Sequence, residues 1–397
     1  MRSELCDCKL CNELAKPIEG VGPLQGLSVM RCAVIGVGRR TLKDYVPALV
    51  DLSARIDLIA ACDVDAAAEA RLTGELNRCG SEANPSFFTD HTALLDTMRP
   101  DLAIVATPHH THNDISKDLF RRGIPVVKEK PFALSMPQAR ELTAAVEEYD
   151  GHMRLCVQRR YHPLYLRAKS SLQQIGATRH FEATYQLSTD AYQAGWRASS
   201  KTSGGGAIID MGYHIIDLLH WFFGMPSLVY ASAAPKLIPA AAYDVEETTL
   251  ANLSYPNGVT GTLRLSLCEA SKEELIRVYG SGGHIRLTRD SLQRFDRSNH
   301  VVEQVVAERS WNSASGVLVD TLDNLANPDA VQREMRDGVR VTATIEALYR
   351  SIAQQTAVKP LHEEASGVRF GTGDRRGTAG AGPEHGVSMA EAAIGMV

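Results

Sequence analysis

Two side chains suited to proton transfer lie in the apolar segment GGGAIIDMGYHIIDLLHWFFG, residues 204–224. If the segment after the glycines is a helix, Asp210 and His214 share one face, because residues three, four and seven apart stack together. Tyr213, Asp217 and His220 fall on the same stripe. Solvated helix faces favour Lys, Glu, Arg and Gln, whereas Asp, His and Tyr are groups that perform acid–base chemistry. The stripe is therefore open to two interpretations, a solvated face or a functional site.

A second chemical signal is the pair Gly36 and Gly38 in AVIGVGRRT, directly after a strand-like apolar run. Glycines at this place permit a tight turn and let a phosphate approach backbone amides at a helix N-terminus. Thr41 stands where the usual fingerprint has its third glycine. Asp63 follows the second strand-like run, 27 residues after Gly36, where a carboxylate can bind an adenosine ribose. The pattern predicts a dinucleotide site that includes Gly36, Val37, Gly38 and Asp63.

The charges around this loop bear on cofactor choice. The Asp63 carboxylate would accept hydrogen bonds from both ribose hydroxyls of NAD and repel the 2′-phosphate of NADP. Arg39 and Arg40 follow the glycines and could reach a phosphate, either that one or the pyrophosphate. No further basic residue follows Asp63 until Arg71. We therefore expect NAD to be the preferred cofactor, with NADP as the alternative.

A third signal is Lys130, which ends the apolar run IPVVKEK and precedes Pro131, a residue that fixes the backbone. Most lysines are solvated surface charges. This lysine, however, follows a predicted buried strand, at the edge where doubly wound sheets bind ligands. The position favours a lysine that faces the ligand.

The elements that position these residues change in character along the chain. From residue 31, apolar strands alternate with helices, which indicates a parallel sheet covered on both faces. After about residue 178 the strands alternate apolar and polar residues and are joined by short turns, which indicates an antiparallel sheet. We predict an α/β fold with four parts: a loose extension (1–30), a dinucleotide-binding domain (31–150), a substrate-binding and oligomerisation α/β domain with an open, mostly antiparallel sheet (151–360), and a flexible Gly-rich tail (361–397).

Composition excludes several other classes of protein. The 397 residues carry a formal net charge of -5, so no basic surface indicates nucleic-acid binding. No apolar run reaches the roughly 20 residues of a membrane span, and the first residues do not resemble a signal peptide. Eight scattered cysteines favour a reducing, cytoplasmic location. Cys6, Cys8 and Cys11 alone would leave a zinc tetrahedron incomplete, so we expect no metal. We also expect Met30 to be an alternative start.

These motifs together resemble the glucose–fructose oxidoreductase/inositol dehydrogenase family (Gfo/Idh/MocA) over roughly residues 31–360. The matching segments are GVGRR, ATPHHTH, Glu129-Lys130-Pro131, VQRRYHP and GGGAIIDMGYHIIDLLHWFFG. The resemblance implies a Rossmann domain followed by a domain with an open sheet, often used for dimers or tetramers. It also implies that Lys130, Asp210 and His214 are the catalytic set.

The resemblance implies further cofactor contacts. Thr107 and Pro108 would border the nicotinamide ribose, and His112 matches the family's recurrent histidine. His109 and His110 have no such match and are expected to be loop residues. The remaining cofactor-binding candidates are Arg39, Arg40, Glu129, Lys130 and Gln158.

Candidate substrate contacts rest on side-chain chemistry as well. Arg159 follows the sixth strand and could reach substrate oxygens. Trp196 and Arg197 offer a flat apolar surface beside a cation with several donors, which suits polyol hydroxyls or phosphate. For these two residues a structural role remains the alternative. Asp217 and His220 lie farther along the stripe, and for them we favour a structural role.

The sequence therefore predicts an NAD(P)-dependent oxidoreductase acting on a secondary hydroxyl or ketone of a sugar, cyclitol or related polyol. In the oxidation direction His214 would take the hydroxyl proton, Asp210 would orient it, and Lys130 would stabilise the alkoxide. Reduction of a keto-sugar in a biosynthetic pathway is equally compatible. The alternatives are a non-catalytic dinucleotide-binding regulator of the same fold and a structural oligomer that binds no nucleotide. We expect a homodimer or homotetramer without nucleic-acid or membrane partners.

Overall fold

The computed structural model describes residues 29–237, 242–307, 312–325 and 327–361. The cysteine cluster at residues 6–11 and the predicted tail beyond residue 361 lie outside the described residues. Two β-sheets organise the described chain, one of six strands and one of eight. The predicted α/β fold is confirmed.

The first sheet is parallel throughout, as the continuous apolar strands predict. Its strand order is β3-β2-β1-β4-β5-β6, so the order reverses between β1 and β4 and opens a crevice at the carboxyl ends of those strands. The last strand, β6, lies beyond the predicted domain boundary at residue 150. The strands are β1 Met30–Ile35, β2 Ile56–Cys62, β3 Ser86–Phe88, β4 Leu102–Val105, β5 Val126–Glu129 and β6 Met153–Cys156.

Helices cover both faces of this sheet. The first helix changes its winding at Val46: a π-helical turn, Thr41–Tyr45, leads into α1, and Pro47 lies in the first turn of α1, where proline costs no intrahelical bond. Thr41, at the place of the third glycine, is fully buried and donates to the Gly36 carbonyl oxygen at 2.5 Å, so it packs against the loop. The helices are α1 Val46–Asp51, α2 Ala68–Arg78, α3 His91–Met98, α4 His112–Arg121 and α5 Met136–Glu148.

The second sheet has the order β14-β13-β12-β11-β7-β10-β9-β8. Its neighbouring strands are antiparallel except for β7 and β10, which run parallel. The strands alternate buried and exposed residues, so one face packs on helices and the other is open. The strands are β7 Thr178–Ser188, β8 Leu228–Ala233, β9 Thr248–Ser254, β10 Thr260–Ser266, β11 Cys268–Gly280, β12 Gly283–Thr288, β13 Ser291–Asp296 and β14 Val301–Val306.

The remaining helices connect the two sheets. The longest, α11, packs on β8 and α9 and also on β6 and α5, and α10 packs on α1. The C-terminal elements therefore return to the first sheet. The helices are α6 Pro163–Ser171, α7 Ser200–Ser203, α8 Ala207–Asp210, α9 Gly212–Phe223, α10 Ser313–Asn324 and α11 Pro328–Gln354. Short 3₁₀ turns lie at His109–Thr111, Gln158–Tyr161, Leu172–Ile175 and Gly195–Ala198.

The segment predicted as one helix at residues 204–224 is divided in two, because α8 ends at Asp210 and α9 begins at Gly212. The Glu246 carboxylate accepts the backbone N–H groups of Gly206 at 2.9 Å and Ile208 at 2.8 Å, which anchors the start of α8. The interpretation of the polar stripe as a solvated face is wrong. Its exposed fractions are low, at 0% for Tyr213, 3% for Asp217 and 9% for His220.

Candidate active site

Lys130 and Asp210 form an ion pair at the carboxyl edge of the first sheet. Lys130 directly follows β5 of the first sheet. Asp210 is the last residue of α8, a helix that lies beside the second sheet. The Lys130 Nζ donates to Asp210 Oδ1 at 2.8 Å and to the Asp210 carbonyl oxygen at 2.5 Å. The two side chains are 13% and 24% exposed, so the pair is accessible from the crevice. The fold thus brings two of the three predicted catalytic residues into contact.

A second lysine supports the turn that carries Lys130. Lys128, in β5, is fully buried, and its Nζ donates to the carbonyl oxygens of Pro131 at 2.5 Å and Phe132 at 2.9 Å. Burial lowers the pKa of Lys128 to about 7, because a charged ammonium loses its hydration there. Lys128 therefore holds the backbone beyond Lys130 in place.

Arg197 is the second cationic partner of Asp210. Its Nε donates to Asp210 Oδ2 at 3.1 Å, and its guanidinium lies 4.1 Å from the centre of the Trp196 ring, a cation–π contact. Burial of the Asp210 carboxyl opposes its ionisation, but the charges of Lys130 and Arg197 outweigh burial and lower its pKa. Asp210 is therefore a carboxylate at neutral pH, with Arg197 beside it and the Trp196 ring against Arg197.

His109 is also part of this group: it lies in the connection after β4, as predicted, but its side chain is buried against the active-site residues. The ring is 7% exposed, its Nδ1 hydrogen-bonds to the Ser203 carbonyl oxygen at 2.8 Å, and its edge packs on Trp196 with centroids 4.5 Å apart. The His109 Nε2 lies 3.8 Å from Asp210 Oδ1. These partners lie some hundred residues along the chain, so no local sequence signal could have revealed the contact. His110, in contrast, is exposed.

His214 lies in the first turn of α9 and is partly exposed. Among the described residues, the structure records no hydrogen bond or ion pair for its ring. Asp210 instead directs its carboxylate oxygens at Lys130 and Arg197, and the break between α8 and α9 lies between Asp210 and His214. The orienting role of Asp210 toward His214 stays a prediction.

The loop after β1 has the shape that a dinucleotide requires. Gly36 has φ of 97°, and a Cβ there would lie 2.6 Å from the Ala106 carbonyl carbon, so only glycine fits. A Cβ on Gly38 would meet nothing within 4 Å, so that side of the loop is open for a phosphate. The Val37 N–H donates to Asp63 Oδ2 at 2.7 Å, which places the acidic residue directly beside the loop.

Arg39 and Arg40, both predicted to contact the cofactor, are placed differently. Arg40 uses all three guanidinium nitrogens within the protein: Glu129 accepts at 2.7 Å, Asp44 lies at 2.8 Å and the Cys156 Sγ at 3.3 Å. Arg39 is exposed and has no polar partner among the described residues. It lines a cavity of about 540 Å³ beside the loop, together with Val37, Gly38, Leu42, Lys43, Arg71, Glu75 and Arg78. Arg39 is therefore the arginine of the two that is free to bind a phosphate.

The residues after β4 and β6 border the same crevice. Thr107 and Pro108 are partly exposed, whereas His112 is 1% exposed and its Nε2 hydrogen-bonds to the Thr107 carbonyl oxygen at 2.7 Å. Burial lowers the pKa of His112 well below its usual value, so the ring is neutral. His112 thereby fixes the turn at Thr107. Gln158 is partly exposed beside Cys156, with 3.9 Å between its Oε1 and the sulfur.

Arg159 and Asp217 have partners within the protein. Arg159 donates to Glu274 from Nε at 2.7 Å and from Nη2 at 2.6 Å, and its Nη1 is buried without a partner among the described atoms. Asp217 accepts two bonds from Arg160, at 2.9 and 2.6 Å. His220 hydrogen-bonds to Thr344 at 2.9 Å. The structural role favoured for Asp217 and His220 agrees with these contacts, while the third Arg159 nitrogen, Nη1, is a donor enclosed by the protein and unpaired in the described part of the chain.

Two features that bear on other functions are absent from the described residues. None of the helices there combines the length and apolar character needed to traverse a bilayer. The same part of the chain holds no group of three or more His, Cys, Asp or Glu side chains that could bind a metal ion.

Comparison with known proteins adds two matches along the chain and several similar folds. Residues 30–155 match the description "Oxidoreductase family, NAD-binding Rossmann fold", and residues 165–286 match "GFO/IDH/MocA C-terminal domain". A putative UDP-kanosamine synthase oxidoreductase subunit from Amycolatopsis mediterranei is 27% identical over 275 residues, 64% of this chain and 74% of that protein. D-apiose dehydrogenase from Paraburkholderia graminis is 24% identical over 333 residues, 79% of this chain and 86% of that protein. The fold is similar to levoglucosan dehydrogenase in complex with NADH and levoglucosan, with a TM-score of 0.72, 18% identity, and 84% and 100% of the two chains covered.

Proposed function

Because this chain belongs to the Gfo/Idh/MocA family of NAD-binding oxidoreductases, we propose that it oxidises or reduces a sugar, cyclitol or related polyol. The reacting group is a secondary hydroxyl or the corresponding ketone. The observation that carries the proposal is the Lys130–Asp210 ion pair, which lies at the sheet edge into which the glycine loop also opens. The names of two relatives, a putative UDP-kanosamine synthase oxidoreductase subunit and D-apiose dehydrogenase, support a sugar-like substrate.

Lys130 stabilises negative charge on the reacting oxygen. An ammonium group has three N–H donors, and Asp210 accepts two of them, through Oδ1 and through its carbonyl oxygen. The third donor is free to bind the substrate oxygen, where it stabilises the alkoxide that develops as the hydroxyl proton leaves. Asp210 holds the ammonium in position because it stays ionised between Lys130 and Arg197.

His214 is the group that takes the hydroxyl proton in the oxidation direction and returns it in reduction. Its ring is partly exposed and has no recorded hydrogen bond to the described residues, so a ring nitrogen is free to accept a proton. The bound nicotinamide supplies the hydride acceptor or donor. Trp196 and Arg197 border the substrate.

The nucleotide is held by the loop Gly36–Val37–Gly38, with Arg39 at a phosphate and Asp63 at the adenosine ribose. Thr107, Pro108 and Gln158 border the nicotinamide end. His112 holds the backbone at Thr107, and the Arg40–Glu129 side-chain pair ties the loop after β1 to the end of β5. NAD is the preferred cofactor, because the Asp63 carboxylate repels a 2′-phosphate. Arg39 and Lys43, two cations beside the loop without an ion pair in the described part of the chain, are the features that would favour NADP.

Two further observations support the proposed assembly and location. The open face of the second sheet exposes Leu228, Tyr230 and Leu250, at 37%, 43% and 54%, which supports a homodimer or homotetramer formed through that face. Five cysteines in the described residues are free thiols, which supports a reducing, cytoplasmic compartment.

The test is a turnover assay with purified protein, NAD or NADP, and a panel of methyl glycosides and inositols. Oxidation of at least one compound, seen as absorbance of the reduced nicotinamide, is the expected result, and Lys130→Met is the matched inactive control. If the protein binds the cofactor and converts none of these compounds or their ketones, the regulator of the same fold becomes the better explanation.

A further inference from the structure

His109 presents a fixed hydrogen-bond acceptor to the active site. The ring reaches from the turn after β4 to α7, where its Nδ1 lies 2.8 Å from the Ser203 carbonyl oxygen. A carbonyl oxygen only accepts hydrogen bonds, so Nδ1 carries the proton. In the neutral ring the other nitrogen, Nε2, then has a lone pair. The tautomer, and with it the acceptor character of Nε2, is set by the backbone.

This acceptor faces a carboxylate rather than a donor. The Nε2 lies 3.8 Å from Asp210 Oδ1, which itself only accepts and which already binds Lys130 at 2.8 Å. Burial of the ring, together with the charge of Lys130, lowers the pKa of His109 to about 3, so the ring does not pair with Asp210 as a cation near neutral pH. Because His109 Nε2 and Asp210 Oδ1 are both acceptors, neither satisfies the other. The Nε2 lone pair is therefore available to a donor on a bound molecule.

We propose that His109 is a specificity-determining residue: its Nε2 accepts a hydrogen bond from a second substrate hydroxyl, on the carbon next to the reacting carbinol. The inference rests on the proposed function. Lys130 fixes the reacting oxygen, and both Lys130 and His109 lie beside the Asp210 carboxylate. The hydroxyl on the next carbon of the same polyol therefore donates to the lone pair of His109 Nε2. Trp196 packs edge to face with the His109 ring, with centroids 4.5 Å apart, and restrains its orientation. The site thereby selects vicinal diols over isolated secondary alcohols.

The experiment is a cycle that pairs a protein change with a substrate change. Three proteins are compared: the wild type, His109→Phe and His109→Gln. Phenylalanine keeps a ring but loses both nitrogens, whereas the glutamine amide offers an NH₂ donor group and an acceptor oxygen. The probes are the methyl glycosides and inositols that the wild type converts, together with their monodeoxy derivatives. The measured quantity is the ratio of kcat/KM between each parent and its deoxy analogue.

In the wild type we expect one monodeoxy analogue, lacking the hydroxyl next to the reacting carbon, to lose about 10-fold or more in kcat/KM. In His109→Phe that ratio should fall close to 1, and His109→Gln should restore part of it. A purely structural role would lower kcat/KM for parent and analogue alike. An unchanged ratio in His109→Phe for every analogue overturns the inference and leaves the proposed function standing. If the wild type converts no compound, the proposed function fails, and the inference fails with it.

Discussion

Replacing Lys130 by methionine keeps the length of the side chain and removes its three N–H donors. Two of these bind Asp210, and in the proposed mechanism the third binds the reacting oxygen. Loss of one such donor to a developing oxyanion typically costs about 10²–10³-fold in rate. We therefore expect Lys130→Met to lower kcat by about 10²–10³-fold, with little change in the affinity for NAD, since the glycine loop is untouched.

The same change should cost little stability. Removing one partner of a buried ion pair costs about 3–5 kcal/mol when the other charge is left alone. Asp210 is 24% exposed, however, and keeps Arg197 as a partner at 3.1 Å. Solvent and the second cation both reduce the loss, so we expect the free energy of unfolding to fall by about 1 kcal/mol.

Lys128→Met is the matched control, two residues earlier in the chain and within β5, which ends at Glu129. Lys128 is fully buried and donates to the carbonyl oxygens of Pro131 and Phe132. Methionine would leave these two carbonyl groups without a donor, at about 1–3 kcal/mol each. We expect Lys128→Met to lower the free energy of unfolding more than Lys130→Met does. When assayed below its melting temperature, Lys128→Met should keep a larger fraction of the wild-type kcat.

The two variants are compared by steady-state turnover and by thermal unfolding followed by circular dichroism. The reasoning is refuted if Lys130→Met unfolds readily while its folded fraction retains wild-type kcat. It is also refuted if Lys128→Met, fully folded at the assay temperature, loses as much kcat as Lys130→Met.

Three further predictions concern other residues. His214→Ala should lower kcat by about 10²–10⁴-fold without weakening NAD binding, and near-normal turnover would exclude His214 as the proton acceptor. Asp63→Ser should raise kcat/KM with NADP relative to NAD, and better turnover of NADP than NAD by the wild type would contradict the cofactor assignment. Burial raises the pKa of Glu334 from 4.5 to about 7, so its contribution to stability is complete below pH 4.5 and lost as pH rises through 7. In Glu334→Gln, the free energy of unfolding measured by urea titration should therefore change less between pH 4.5 and 7 than in the wild type. An equal change in both proteins would refute the raised pKa of Glu334.

The arrangement of Gly36 and Lys130 was predictable, because it depends on features that the sequence carries locally. The first sheet consists of short, continuous apolar runs alternating with helices, a pattern that few folds share. Parallel strands end at one edge, so residues directly after β1 and β5 must lie near one another. The glycine at position 36 was equally predictable, since the tight turn after a strand requires its positive φ.

Partners of charged residues were not predictable in the same way. Arg40 and Arg159 each follow a strand where a ligand could lie, yet their carboxylate partners, Glu129 and Glu274, lie 89 and 115 residues away. Nothing local distinguishes an arginine paired inside the protein from one that awaits a phosphate. His109 is the reverse case, since its position in a loop-like motif gives no sign of the Ser203 carbonyl on the other side of the crevice.

The break after Asp210 also depends on distant residues. The sequence from Ala207 to Phe223 has helical periodicity throughout, which predicts one helix. Glu246 binds the start of α8, and a Cβ on Gly212 would lie 2.5 Å from the Leu265 side chain, so packing on the second sheet determines where α9 begins. Periodicity detects an apolar face but not such an interruption.

A chain leaving the ribosome completes the strands of the first sheet at β6, long before α10 has been made. Three apolar side chains of α10 belong to the same buried cluster as Tyr45 and Leu49 of the first helix. About 160 residues separate β6 from α10, and at about 5–20 residues per second their synthesis takes roughly 10–30 s. During that interval the nascent chain presents an uncovered apolar surface beside a sheet that is otherwise complete, so this surface is open to non-native contacts until α10 is made.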